Sequence, residues 1–229
     1  MFKVIPVLDL MNNEAVSGKS GNRSTYTPLN TVYAPNSDPV QIANGLKLNG
    51  AKEIYIADLD LIEKQGHNLY KIKEVNTILP VMLDSGIKDF DSFKFYLDFA
   101  YKLIVATETI KSVEELEKIF NTFPMERIVV SVDIKDGKLY SNNLDLTLEE
   151  FKDVLRKINP NEIILLNISD VGTGNGYDTK FLDEFAEFKD KIIIGGGVNP
   201  EDISKLENEG VNKALIGTAL HNGKISILQ

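Results

Sequence analysis

Short runs dominated by Val, Ile and Leu recur along the chain, separated by longer stretches in which apolar positions return every three or four residues. The runs at Val4–Leu10, Glu53–Asp60, Val81–Ser85, Lys102–Thr107, Arg127–Ile134, Glu162–Ile168, Lys191–Gly195 and Lys213–Gly217 are continuous rather than alternating. Continuity marks strands buried on both faces, as in parallel sheets covered by helices. Between them, helical periodicity predicts helices over Pro39–Leu48, Leu69–Leu79, Asp91–Phe99, Val113–Phe123, Leu148–Ile158, Thr179–Phe188 and Glu201–Glu209. Asp38, Ser112, Thr147 and Asn199 stand where N-caps belong, and Gly50 and Gly210 where helices stop. Eight strands alternating with helices predict one closed parallel (β/α) barrel across residues 1–229, with an open doubly wound sheet as the competing arrangement. Only His221–Gln229 follow the last run. The final helix is therefore expected to be short or missing, leaving a thin stretch of wall that a partner subunit could cover.

The two halves of the chain resemble each other. VIPVLDL, carrying Asp9, parallels RIVVSVDIKDG, carrying Asp133. PVMLDSGI around Gly86 parallels KIIIGGGV around Gly197, and KLIVATET around Thr107 parallels KALIGTAL around Thr218. A half-barrel repeat of this kind sets like groups on opposite sides of one opening.

Composition narrows the partners. At 43% hydrophobic and 26% charged, the chain can bury a core of ordinary size. A net charge of -9 with no basic stripe argues against nucleic acid and anionic membrane surfaces. There is no cysteine, so disulfides, thiolate nucleophiles and sulfur-ligated metals are excluded. MFKVIPVLDL lacks the layout of a signal peptide, and no apolar run approaches the roughly 20 residues of a membrane span. The expectation is a cytoplasmic monomer or small homo-oligomer.

The glycine turns GGGV (Gly195–Val198) and IGTAL (Ile216–Leu220) each follow a buried run. Gly196, Gly197, Gly217 and Thr218 are thus candidates for a phosphate cradle built from backbone N–H groups at adjacent strand ends. Tight turns with no ligand are the alternative. The matching first-half turns supply Ser85, Gly86 and Thr107 for a second phosphate, but Asp84 and Glu108 would repel it if they pointed inward. Asp9 and Asp133 interrupt apolar runs at the ends of strands one and five. Two carboxylates in different surroundings can divide into an acid and a base; rim hydrogen bonding is the other use for them. Asp58, Asp60, Asn167, Ser169 and Asp170 are candidates for hydroxyl binding or rim cross-linking, His67 for substrate contact and His221 for a structural role. The loop Ser17–Asn36 is long for its position. It could act as a lid bringing Lys19, Arg23, Tyr26 and Tyr33 over a substrate. No metal-ligand spacing is visible, and no cofactor is expected.

VIPVLDL, SDPVQIA, IYIADLDLIEKQGHN, SVDIKDGKL, GGGV and IGTALHNGK, in that order, resemble the histidine-biosynthesis barrel family. This family comprises the phosphoribosylformimino-aminoimidazole-carboxamide ribotide isomerase and its cyclase sister, and the resemblance spans essentially the whole chain. It implies a TIM barrel and an Amadori rearrangement of an aminoaldose to an aminoketose without a redox cofactor. Asp9 would then be the base that takes a proton from the sugar's second carbon, and Asp133 the acid that helps open the ribose ring. Gly196, Gly197, Gly217 and Thr218 would hold one phosphate, and Ser85, Gly86 and Thr107 the other. The chain departs from the family pattern at LDSGIKD, at VATET, at NISDVGTG, where Val171 takes the helper aspartate's place, and in the GNRSTYTP loop. These departures resemble an isomerase-related subfamily of methanogens and methylotrophs associated with one-carbon cofactor pathways. A different phosphorylated metabolite is therefore a second reading, and a non-catalytic paralogue that binds a phosphate metabolite a third.

Overall fold

Each apolar run becomes a barrel strand. They are β1 (Lys3–Met11), β2 (Ile54–Asp58), β3 (Val81–Asp84), β4 (Lys102–Ala106), β5 (Ile128–Lys135), β6 (Ile163–Asn167), β7 (Ile192–Gly195) and β8 (Lys213–Ile216). The structure is a computed structural model that describes residues 2–18, 25–168 and 180–228, the side chains of 180 and 181 excepted. Every sequential pair of these strands is parallel, and β8 returns to β1 from Lys3↔Lys213 to Pro6↔Ile216. The sheet is closed, which rules out the open alternative.

Two apolar layers follow from the pleat. Ile5, Met82, Ile104, Val129, Ile164, Ile193 and Leu215 fill the barrel interior. The alternate positions, such as Leu8, Ile56, Leu83, Val130 and Leu165, join the helices in an outer layer. Those helices are α1 (Pro39–Leu48), α2 (Leu69–Asn76), α3 (Phe90–Tyr96), α4 (Val113–Thr122), α5 (Leu148–Ile158), α6 (Lys180–Glu184), α7 (Pro200–Asn208) and α8 (Thr218–His221). Asp38, Ser112 and Thr147 accept from the amides of Val40, Glu115 and Glu150, so three expected caps are in place. Asn199 is likewise the N-cap of its helix, in a capping box where its backbone N–H also donates to Asp202 at 2.9 Å. The periodicity over Thr179–Phe188 divides into α6 and a 3-10 segment, Ala186–Lys191.

The wall expected to be thin after β8 is filled from within the chain. Beyond the four residues of α8, the segment turns back and buries Ile225 and Ile227, 2% and 6% exposed. At the opposite end of the barrel, strand starts converge in a buried ion cluster. Lys102 meets Glu53 at 3.1 Å and Glu162 at 2.5 Å, Lys213 meets Glu162 at 3.1 Å, and Lys3 pairs with Glu53. Each carboxylate here has cationic partners, the condition for ions to be tolerated so far from water.

Candidate active site

The strands' carboxyl ends and the turns after them form the barrel mouth. Side-chain alternation decides what reaches it. On β1, Ile5 lies inside the barrel, so Asp9, two pleats on, points the same way. Val129 sets Ser131 and Asp133 inward on β5, Met82 sets Asp84 inward on β3, and Tyr55 faces inward on β2. The Tyr55 hydroxyl donates to Oδ2 of Asp84 at 3.3 Å. Burial first, then the charges of Asp84, Asp9 and Asp133, hold the Tyr55 phenol well above its ordinary pKa. It therefore stays protonated as a donor. All three carboxylates stand at inward positions near the carboxyl ends of their strands.

Asp133 is the most enclosed of the three, 3% exposed. Ser131 Oγ donates to its Oδ1 at 3.0 Å, and the Glu108 amide donates to Oδ2 at 3.1 Å. Burial nevertheless dominates and, helped by the charges of Asp84 and Glu108, pushes the carboxyl up to about 7. An acid so tuned exchanges a proton near neutrality. Asp9 is only half-buried. The two strand-end aspartates thus sit in different surroundings across one opening.

The turns after β7 and β8 form an open cradle. Gly196 and Gly197 have φ of +84° and +72°, in the left-handed region that disfavours any side chain. A Cβ on Gly195 would lie 3.0 Å from Leu166 Cδ1 and 3.2 Å from Ile164 Cγ2. Among the described residues, the amides of Gly196, Gly197, Gly217 and Thr218 have no hydrogen-bond acceptor. Unengaged N–H groups at the entrances to α7 and α8 suit a tetrahedral oxyanion.

The corresponding first-half turns, around Gly86 and Thr107, are arranged differently. The Gly86 amide is taken by Oδ1 of Asp84 at 3.1 Å. The Thr107 amide donates to Ser131 O at 2.9 Å. Thr107 Oγ1 accepts from the Asp133 amide at 3.0 Å, and its one proton is shared between Tyr140 O at 3.0 Å and Asp133 Oδ2 at 3.2 Å. Thr107, 1% exposed, is a prop for Asp133 rather than an open anion ligand. Ser85 is also buried, and its hydroxyl has no hydrogen-bond partner.

Of the two uses open to Asp58 and Asp60, the structure shows rim cross-linking. Asp58 shares the pleat of Ile54 and Ile56, so it points toward the helices, not the mouth. Fully buried, it accepts from Leu61 N at 3.2 Å, Asn68 N at 2.8 Å and Asn68 Nδ2 at 2.6 Å. Asp60 takes Asn12 N at 2.8 Å and Asn68 Nδ2 at 3.0 Å, tying the first two loops together. Asn167 likewise shares the outward pleat of Ile163 and Leu165.

His67 is exposed and meets Tyr70 edge-on, the ring centroids 5.9 Å apart. His221 is structural, as expected. Its Nε2 lies 2.8 Å from Val7 O, so that nitrogen carries the proton, and Nδ1 accepts from Thr31 Oγ1 at 2.9 Å. Burial lowers its pKa.

Of the expected lid, Lys19 and Arg23 lie outside the described residues, as do Ser169, Asp170 and Val171. The later part of that loop is docked on the barrel. Thr27–Pro28 pairs with Glu14–Ser17, Tyr26 packs near Tyr55 and Ala57, and Tyr33 lies against His221. Among the described residues, no three His, Asp or Glu side chains are grouped to hold a metal ion. Sequence reasoning missed Tyr55 and Ser131. Their signal was a polar group at inward parity within a buried run.

A family model described as Histidine biosynthesis protein matches residues 3–226. The chain is 38% identical to a protein of Methanocaldococcus jannaschii named only as uncharacterized, over 99% of this chain and 96% of that one. It is 30% identical to a protein of Lactococcus lactis subsp. lactis and 28% identical to one of Nitrosopumilus maritimus, over 99% of this chain and 97% of each. Both are named 1-(5-phosphoribosyl)-5-((5-phosphoribosylamino)methylideneamino) imidazole-4-carboxamide isomerase. With a closed barrel, inward aspartates on strands one and five and a family match across nearly its whole length, the chain belongs to the histidine-biosynthesis protein family.

Proposed function

We propose that this chain is an intramolecular isomerase that converts a phosphorylated aminoaldose to the aminoketose, with the phosphate held by Gly196, Gly197, Gly217 and Thr218. One observation carries the reading: Asp9 and Asp133 stand at inward positions near the carboxyl ends of strands one and five, and Asp133 is pushed up to about 7 while Asp9 is less buried. In the rearrangement, Asp133 gives its proton to the ring oxygen as the bond from that oxygen to the anomeric carbon breaks, leaving an iminium. Asp9 then takes the proton from the neighbouring carbon, giving an enolamine that tautomerises to the ketose. Each proton transfer is worth roughly 10²–10⁴ in rate. Thr107 and Ser131 act as positioning residues for Asp133, and Tyr55 as a donor at the cavity wall.

The ribotide named for the Lactococcus and Nitrosopumilus relatives is the first substrate to test. Turnover should be lost in Asp9→Asn while phosphate binding is retained, and restored growth of a histidine-auxotrophic strain lacking the isomerase would assign the ribotide as substrate. A variant Asp9→Asn that keeps its full rate would end this reading. A second reading, a different phosphorylated metabolite in the same kind of reaction, is favoured by one observation: Asp84 occupies the Gly86 amide.

A further inference from the structure

The two halves of the mouth treat an anion in opposite ways. After β7 and β8, the amides of Gly196, Gly197, Gly217 and Thr218 are unengaged among the described residues. After β3, the protein supplies its own anion: Asp84 takes the Gly86 amide through Oδ1 at 3.1 Å and the Tyr55 hydroxyl through Oδ2 at 3.3 Å. After β4, the Glu108 amide donates to Asp133 at 3.1 Å, and the Thr107 hydroxyl is committed to Asp133 and Tyr140. Apart from the Ser85 hydroxyl, the donors that could have welcomed a second phosphate are engaged by internal carboxylates. Seating a phosphate there would break the bond to Gly86 and set like charges side by side.

We infer that Asp84 is a specificity residue that closes the β3–β4 side of the mouth to phosphate, so that the substrate carries a single phosphate, at β7–β8, and presents a neutral or cationic end to Asp84. This rests on the isomerase reading and narrows its substrate class. The ribotide named for the two isomerase relatives carries two 5-phosphoribosyl groups. A singly phosphorylated aminosugar matches this mouth better. Asp84 acts through shape and charge, and Tyr55 fixes its carboxylate against the Gly86 turn.

Titration of the isotope-labelled protein with inorganic phosphate, followed through backbone amide resonances, reads both sides separately and needs no turnover. In the wild type, the amides of Gly196, Gly197, Gly217 and Thr218 should shift, and those of Gly86 and Glu108 should not. In Asp84→Gly the Gly86 amide should now respond to phosphate, with affinity at the Gly197 side unchanged within about twofold. Asp84→Asn, which keeps the side chain's shape without its charge, should give a weaker response at Gly86 and guards against a misfolded glycine variant. Wild-type shifts on both sides would overturn this inference and leave the isomerase reading standing. Shifts on neither side would overturn the phosphate cradle and this inference with it. A folded Asp84→Gly protein with no response at Gly86 would remove Asp84 from the role.

Discussion

Ser131 and Asp133 lie two residues apart on the inward face of β5, and the Ser131 hydroxyl donates to Oδ1 of Asp133 at 3.0 Å. The bond favours the charged carboxylate and opposes the burial that raises its pKa. Replacing Ser131 by Ala should therefore move Asp133 further up. If Asp133 must be protonated to act, the wild-type rate falls above about pH 7, and the Ser131→Ala profile should fall at a higher pH. A pH–rate profile of kcat/KM measures this. An unmoved descending limb would separate Asp133 from the acid role.

The same shift has a stability consequence. In the unfolded chain Asp133 titrates near about 3.9, and in the folded protein at about 7. Between those values the folded state holds the extra proton, so stability falls as pH rises through the window. The shift implies a loss of at most about 4 kcal/mol by pH 8, and less after relaxation. Urea denaturation of wild type and Asp133→Asn at about pH 4 and about pH 8 should show the difference between them changing in the variant's favour at the higher pH. Parallel pH dependence in the two proteins would contradict the burial argument.

Gly197 has φ +72°, and a residue with a Cβ is strained there. Gly197→Ala should destabilise the fold by about 1–2 kcal/mol and weaken phosphate binding, because the turn must rotate its amides away. Thermal unfolding and phosphate titration on one sample check both. Unaltered phosphate affinity in a destabilised protein would leave Gly197 a turn residue only.

The barrel and its two inward acids were legible in the sequence because both depend on local pattern. Continuous apolar runs mark strands covered on both sides, and the aspartates at positions 9 and 133 end such runs. The two uses open to Asp58 were not separable in the sequence, because its outward parity with Ile54 and Ile56 follows only once β2 is placed in the sheet. Thr107 looked like a ligand for the same reason Thr218 does: both follow an apolar run at matching places in the repeat. Only tertiary structure shows one hydroxyl beneath Asp133 and the other exposed. The bond from Asp84 to Gly86 spans two residues, yet its meaning depends on Tyr55 from the neighbouring strand, which no local pattern reveals.

The ion cluster opposite the mouth draws Lys3, Glu53, Lys102, Glu162 and Lys213 from stretches far apart along the chain. Its pairs join residues far apart in sequence, so it is expected to form after the rate-limiting step of folding. Lys102→Met would leave Glu53 with Lys3 alone and Glu162 with Lys213 alone, and is expected to cost about 1–3 kcal/mol. In stopped-flow kinetics that cost should appear as faster unfolding with a nearly constant refolding rate. On that outcome the cluster is a latch on lifetime: it sets how long the closed ring persists, while the opposite rim is left to vary its chemistry.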